Sequence, residues 1–339
     1  KLDMYDTLYN PYKTGSRSNG RVPPTEIDTV YNRGTVLEVA HDERAYFMDG
    51  VAGHAGLFSS AQNIAKYAFM LLNEGDYAGE NVIEAEVVEQ FTSHQSPINH
   101  RGLGFDRKSE GFSSAGELTG PQTFGHLGFT GTSLWMDPDE DIAIILLTNR
   151  TYPSRSYGSQ ISRVRAEVAD TIMKSIIDYN MDQIVKRVYT PYSRREEYCL
   201  VEGDSGMIYP GVRIENSSFP LTISSIQAAV CSCLANNDEP VSYWYNDSEP
   251  ELTRYWVAEY NLTKKDNPYA VSEKQLFNPI DKKVPDFSNR LTDLCSQAVT
   301  PNSKFSVAAI LETERGYLTG VNIEGSSWAL GLCAERVVI

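Results

Sequence analysis

The chain has 339 residues and a formal net charge of −15, with 30 lysines and arginines against 45 aspartates and glutamates. This acidity argues against nucleic acid and anionic membrane as main partners, because both attract clusters of basic side chains. Five cysteines argue against a disulfide scaffold, no apolar run is long enough to span a membrane, and no secretion signal is visible at Lys1.

Turn residues and hydrophobic spacing predict the first elements. Residues 1–30 are polar and contain Asn-Pro, Gly and Pro-Pro sequences, which predict an extended loop without strands or helices. A helix is expected after Ser59 or Ser60, either of which could cap it, and Gly75 would end it. Its apolar residues at helical spacing are Ile64, Tyr67, Ala68, Leu71 and Leu72.

The next elements are a short helix, a hairpin and a long helix. Residues 85–91 predict the short helix, and residues 133–137 and 142–149, joined by a Pro-Asp turn, predict a buried β-hairpin. Five apolar residues at helical spacing predict the buried stripe of the long helix: Ile161, Val164, Val168, Ile172 and Ile176.

Residues 1–178 resemble the serine β-lactamase and penicillin-recognising family, in its class C and DD-peptidase-like branch. The resemblance is carried by residues 50–60, by residues 101–105 and above all by residues 124–135. In that family a Lys-Thr-Gly or His-Thr-Gly triplet lies on the strand at the edge of the active site and binds the substrate carboxylate. His126-Leu127-Gly128 matches the triplet, except that leucine stands where the family has a hydroxyl.

The resemblance implies a catalytic role for His126 and substrate binding by Gly128 and Thr130. Because Leu127 lacks the hydroxyl, an ester or another amide is as good a candidate substrate as a β-lactam or a D-Ala-D-Ala peptide. His54 is expected to be structural, and the role of His41 stays open.

The family's nucleophile is the serine of a Ser-x-x-Lys motif, in which the lysine activates the hydroxyl. No serine in this chain is followed three residues later by lysine, and residues 1–178 contain no convincing Tyr-x-Asn or Tyr-x-Ser. Residues 1–10 resemble the segment that follows both motifs in the family. We therefore expect the chain to be a fragment of a longer reading frame.

The C-terminal half contains a repeat. Residues 211–227 align without gaps with residues 320–336, an offset of 320 − 211 = 109, and residues 190–194 match residues 300–304. A repeat of this length suggests a duplicated domain, since solenoid units are shorter.

The second copy resembles the zinc cytidine deaminases, whose pattern is Gly-x-Asn-x-Glu followed by Cys-Ala-Glu-Arg. The resemblance assigns zinc ligation to Cys333, proton transfer to Glu335 and ribose binding to Asn322 and Glu324. The family's two further cysteine ligands have no counterpart here, so zinc is expected only for a complete deaminase domain. The first copy has Ser224 and Ile226 at the positions of Cys333 and Glu335, so it is expected to be inactive.

These observations predict an α/β (α+β) chain with three parts. Residues 1–178 would form a partial β-lactamase-like antiparallel sheet with flanking helices. Residues 179–289 and 290–339 would form two cytidine-deaminase-like α/β/α sandwiches, the second truncated.

The main functional hypothesis is hydrolytic deamination of cytidine or deoxycytidine by the C-terminal half. The alternative is a hydrolase of cell-wall peptide, β-lactam or ester with a non-catalytic deaminase-like module, and a third hypothesis is a non-enzymatic scaffold. A small-molecule substrate and a homo-oligomer are expected. The location would be cytoplasmic for a deaminase, and periplasmic or secreted for the hydrolase. As it stands, the chain is expected to catalyse neither reaction, because both sets of catalytic groups are incomplete.

Overall fold

The computed structural model describes residues 1–13, 20–157, 160–218, 221–266, 275–326 and 330–337, and in these ranges it is a mixed α/β structure, as expected. The helices are α1 (Glu43–Phe47), α2 (Ala61–Leu72), α3 (Ala85–Thr92), α4 (Ile161–Val185), α5 (Ser225–Ala235), α6 (Thr253–Tyr260), α7 (Phe287–Cys295) and α8 (Ala334–Val337). Within the same ranges no helix is both long and apolar enough to cross a membrane.

The strands are short. They are β1 (Leu8–Tyr9), β2 (Glu26–Asp28), β3 (Gly34–Val36), β4 (Leu57–Phe58), β5 (Asp76–Tyr77), β6 (Glu80–Asn81), β7 (Asp106–Arg107), β8 (Phe124–Leu127), β9 (Ser133–Asp137), β10 (Ile142–Leu146), β11 (Tyr198–Gly203), β12 (Ile208–Val212), β13 (Pro240–Tyr245), β14 (Thr263–Lys264), β15 (Ile280–Asp281), β16 (Ala308–Thr313) and β17 (Gly316–Val321). The chain divides into two compact units, Lys1–Lys174 and Ser175–Ile339.

The first unit contains an antiparallel sheet in the order β10-β9-β8-β7. The predicted hairpin is confirmed as β9 and β10, with Asp137 opposite Ile142, although β10 ends at Leu146 and not at Asn149. Helix α2 packs on one face of this sheet, in a cluster that includes Met70 and Met136.

The predicted ends of α2 are confirmed. The backbone N–H of Asn63 donates to the Ser60 side chain at 3.4 Å, so Ser60 is the N-cap. Gly75 has a φ of +98° and donates its N–H to the carbonyl of Met70 at 2.8 Å. A residue with this left-handed backbone closes the last turn of the helix, and glycine adopts it without strain.

The buried stripe predicted for α4 is wrong. Val164 and Ile172 are 40% and 37% exposed, whereas Ala166, Ala169 and Met173 are buried. The buried line lies one or two residues further along the chain, a rotation of about 100° per residue around the helix. Small alanine side chains let α4 pack close to the sheet, where Ala169 lies in one cluster with Trp135 and Ile144.

The prediction that residues 1–30 form no element is also wrong. Strand β1 pairs with β4, and β2 pairs with β3, each as a two-stranded antiparallel ribbon. The partner of β1 lies about 50 residues further along the chain, so the polar composition of the segment gave no sign of the pairing.

The second unit begins with a three-layer arrangement. Its sheet has the order β12-β11-β13-β14, and only β13 and β14 are parallel. Ile184 of α4 packs with Leu200 on one face, and Ile226 of α5 lies in the cluster that contains Val201 from the other face. Alternate residues of β11 therefore face opposite helices, as the two-residue period of a strand requires.

The second copy repeats this pairing in the sheet β15-β17-β16, with α7 and α8 packed against its strands. Two isolated bridges link the segments around each hairpin, and they recur at equivalent positions. The bridges are Tyr189–Ile214 and Ile214–Ile223 in the first copy, and Val299–Ile323 and Ile323–Leu332 in the second.

Candidate functional site

The first candidate site is the end of β8 and the turn after it. Strand β7 pairs only with Phe124 and Gly125, so the edge of β8 beside His126 extends past the end of β7. A Cβ at Gly125 would lie 2.0 Å from the carbonyl oxygen of Leu134, so only glycine permits the close approach of β9. His126 is exposed, and its Nδ1 lies 2.9 Å from the backbone N–H of Leu127, which donates to it.

Leu127 points to the other face of the sheet. It packs against the cluster of Trp135, Ile144 and Ala169 on the side of α4. The side chain that replaces the family's hydroxyl therefore contributes to the core and does not lie beside His126.

The turn from Gly128 to Thr132 needs glycine at two positions. A Cβ at Gly128 would lie 2.0 Å from Thr132 Oγ1, and Gly131 has a φ of +124°, which strains any other residue. The turn is closed by two backbone hydrogen bonds, from Gly128 N to Thr132 O at 2.8 Å and from Gly131 N to Gly128 O at 3.1 Å.

Arg165 of α4 fixes this turn from the inside. The residue is 5% exposed, and its guanidinium donates to the carbonyls of Gly128 at 2.8 Å, Thr132 at 2.7 Å and Gly131 at 3.2 Å. Burial lowers the pKa of Arg165, and so does the neighbouring Arg150. The rigid fork of a guanidinium suits several acceptors at fixed positions, which a lysine would match poorly.

Arg150 binds the two carbonyls that Arg165 does not reach. Its Nε donates to Phe129 O at 2.7 Å, and its backbone N–H donates to Thr130 O at 2.7 Å. Its guanidinium also lies 4.5 Å from the centre of the Phe129 ring. All five carbonyls of residues 128–132 therefore accept hydrogen bonds from within the unit.

This arrangement sets the direction of the amides. In a planar trans peptide the C=O and the following N–H point in opposite directions. The N–H of Phe129 therefore points away from Arg165, and the N–H of Thr130 points away from Arg150. Neighbouring amides whose carbonyls are held in this way are candidate donors to a carboxylate or to a developing oxyanion.

A polar cluster lies against Phe129. The ring of His41 is 5.4 Å from the Phe129 ring, and the Arg155 guanidinium is 5.6 Å from it. His41 Nδ1 lies 2.9 Å from Thr25 Oγ1, and Arg155 Nε donates to Glu26 at 2.7 Å. Burial lowers the pKa of His41, and the hydrogen bond from Arg155 lowers the pKa of Glu26.

His54 lies elsewhere, with its Nε2 2.9 Å from Asp42 Oδ1. The same carboxylate oxygen caps α1 by accepting from Ala45 N at 2.8 Å. This contact attaches the loop that carries His54 to the start of α1.

The second candidate site, predicted in the C-terminal copy, has its residues on two different segments. Cys333 and Glu335 are exposed at the start of α8. Asn322 accepts from Val307 N at 2.7 Å and donates to Phe305 O at 2.9 Å. Glu324 accepts from Ser303 N at 3.0 Å, and the Ser303 hydroxyl, which also donates to it, lowers its pKa.

Through these hydrogen bonds Asn322 and Glu324 hold the backbone of the loop before β16 in place. Among the described residues, no group of three or more His, Cys, Asp and Glu is placed to hold a metal ion. The described residues around Cys333 therefore do not by themselves supply the three protein ligands of a catalytic zinc site.

Arg165 and Arg150 were not recognised as site residues from the sequence. Arg165 lies in α4, and its neighbours in that helix, Ala166 and Ala169, are buried. A long cation on the apolar side of a helix is a usable signal, because such a group is buried only with acceptors around it.

The comparisons with known proteins concern mainly the first unit. Residues 1–169 match the family model described as Beta-lactamase. The N-terminal half is therefore similar to the β-lactamase-like serine hydrolases. The putative D-alanyl-D-alanine carboxypeptidase of Escherichia coli O157:H7 is 32% identical to it over 164 residues, 44% of this chain and 38% of that protein.

Another relative of the β-lactamase-like segment is the N-acetylmuramyl-L-alanine amidase of Bacillus subtilis strain 168. It is 30% identical over 195 residues, which are 48% of this chain and 44% of that protein. The chain thus spans less than half the length of both relatives. Among solved structures, the crystal structure of a cytidine deaminase from Mycobacterium tuberculosis is 23% identical with a TM-score of 0.22, covering 27% of this chain and 85% of that one.

Proposed function

We propose that the protein is a β-lactamase-related serine hydrolase of cell-wall peptides and that β8 and its turn bind the substrate carboxylate. The observation that carries the proposal is the turn of residues 128–132, whose five carbonyls all accept hydrogen bonds from Arg165 or Arg150. The amides of Phe129 and Thr130 then serve as donors, beside the exposed His126.

The relatives support the substrate class. Their names describe a carboxypeptidase of D-alanyl-D-alanine and an amidase of N-acetylmuramyl-L-alanine, both of which are cell-wall chemistry. This favours the hydrolase hypothesis over cytidine deamination as the main activity. It also favours a place in the cell envelope over the cytoplasm.

Binding of a peptide that ends in D-alanyl-D-alanine tests the proposal, because binding does not need the serine nucleophile. Chemical-shift changes are expected at the amides of Phe129 and Thr130. Amidation of the peptide's terminal carboxylate should weaken binding about tenfold or more, since a charge-assisted hydrogen bond contributes about 1.5–3 kcal/mol.

Variants locate the site. His126→Ala is expected to weaken peptide binding about fivefold to tenfold, the factor for one hydrogen bond. His94→Ala is the matched control, because His94 is also exposed and lies on a different loop. Equal binding of the acid and amide peptides, or equal effects of the two substitutions, would refute carboxylate recognition at β8.

A second candidate function is zinc-dependent cytidine deamination by the second copy. It is favoured by the exposure of both Cys333 and Glu335, whose counterparts in the first copy are a helix cap, Ser224, and a fully buried Ile226. Zinc would require ligands in addition to Cys333. Deamination of cytidine by the zinc-loaded protein, abolished by Glu335→Ala, would support this function; unchanged activity of that variant would dismiss it.

A further inference from the structure

The two copies in the second unit touch through equivalent residues. Gln227 in α5 and Arg336 in α8 occupy the same position in the repeat, since 336 − 227 = 109. Gln227 Nε2 donates to the carbonyl of Gly331 in the second copy at 2.9 Å. Arg336 Nη2 donates to the carbonyl of Leu221 in the first copy at 2.8 Å.

The two acceptors are also equivalent to within one residue. Leu221 plus 109 is position 330, next to Gly331. Each donor thus reaches from the helix of one copy to the loop just before the helix of the other copy. In a two-fold symmetric interface residue i contacts j and j contacts i, which is the relation seen between these copies.

The apolar packing continues across the same interface. Helix α5 packs against α8 and β17. Ile226 and Val230 of the first copy lie in a single core cluster with Ile323 and Leu332 of the second. The copies are therefore joined by a shared core in addition to the two hydrogen bonds.

We propose that the two copies form an internal quasi-two-fold pair, in which the first copy is the positioning partner of the second. Gln227 fixes the carbonyl of Gly331, two residues before Cys333, and so fixes the loop that leads into the thiol. Arg336 does the same for the loop of the first copy that leads into Ser224. The proposal does not depend on the hydrolase function of the first unit.

Hydrogen exchange at two amides tests the crossed relation in the full chain. Leu332 N donates to Ile323 O and Ile223 N donates to Ile214 O, both at 2.9 Å, so each amide reports on one of the two loops. Gln227→Ala is expected to accelerate exchange at Leu332 roughly fivefold and to leave Ile223 unchanged. Arg336→Ala is expected to accelerate exchange at Ile223 by a similar factor and to leave Leu332 unchanged.

A general loss of stability would not give this crossed pattern. Acceleration within the substituted copy, equal acceleration at both amides, or none at either would overturn the proposal.

Asn236→Ala is the matched control, since Asn236 is an exposed amide side chain at the other end of α5. If Gln227→Ala does not fold, Gln227→Glu is measured instead, because it keeps the side-chain size and removes the donor to Gly331. Labelling of the exposed Cys333 thiol should be faster in the same Gln227 variant and unchanged in the control.

Discussion

Replacing Arg165 by methionine tests whether its hydrogen bonds stabilise the turn after β8. Methionine keeps an unbranched side chain in the helix and removes the guanidinium with its three hydrogen bonds to carbonyl oxygens. The turn would then keep its hydrogen bonds from Arg150, from Thr148 and from its own backbone.

The size of the loss follows from what the three carbonyls retain. Hydrogen bonds to a charged group contribute about 1.5–3 kcal/mol each, so a simple sum would reach about 4.5–9 kcal/mol. Each carbonyl, however, keeps a second donor: Gly131 N for Gly128, Thr148 Oγ1 for Gly131 and Gly128 N for Thr132. Removal of the buried cation also relieves its desolvation and its repulsion by Arg150.

We therefore expect a destabilisation of about 3 kcal/mol, less than the sum of the three bonds. For a unit of this size that lowers the Tm by about 6–12 °C. Arg165→Lys should recover about half of the loss, because an ammonium can still donate to one or two of the carbonyls.

Calorimetric unfolding of the full chain measures the effect. The control is Arg163→Met, two residues away in α4, where the side chain is 79% exposed and forms an ion pair with Glu167. Its expected cost is below about 0.5 kcal/mol. If the two methionine variants have the same Tm, Arg165 does not stabilise the turn.

Three further predictions concern helix capping and pH. Ser224→Ala removes the cap that accepts from Gln227 N and should destabilise the second unit by about 1 kcal/mol in urea unfolding; an unchanged midpoint would contradict the capping role. Burial would raise the pKa of Glu215, but hydrogen bonds from Ser193 and Arg213 outweigh it and lower the pKa to about 2. Stability from Glu215 is thus present above about pH 4.3 and lost as the pH falls towards 2, so Glu215→Gln should flatten acid unfolding in this window, and an equally steep curve would refute the argument. The pKa of His41 is lowered by burial, so stability is present above about pH 6.5 and lost as the pH falls below it; His41→Gln should reduce that dependence, and an unchanged dependence would assign it to other groups.

Local patterns predicted the parts of the fold that depend on near neighbours. The β9–β10 hairpin and the Ser60 cap of α2 could be read from turn residues and spacing, because their partners lie within a few residues. The repeat was visible because a duplication preserves residue order. Its equivalent bridges then followed the same offset, within one residue.

Other features depend on partners far along the chain. The carbonyls that Arg165 binds lie 33 to 37 residues before it, so the sequence near Arg165 can indicate that the side chain is buried but not which carbonyls it binds. The α4 stripe was misplaced because the spacing rule selects the largest apolar residues, whereas small Ala166 and Ala169 form the packed side. For the candidate site, the motif located His126 but not the arginines that orient the turn.

The burial of Ile226 makes the divergence of the two copies difficult to reverse. Ile226 is completely buried, whereas Glu335 at the equivalent position is exposed. A mutation that restored glutamate at position 226 would place a carboxyl group in the shared core, where an unpaired polar group costs at least about 1–3 kcal/mol and a charge costs more. Evolution towards a pair of equal copies would therefore require several compensating changes in the shared core, so the difference between the copies is not reversed by single substitutions.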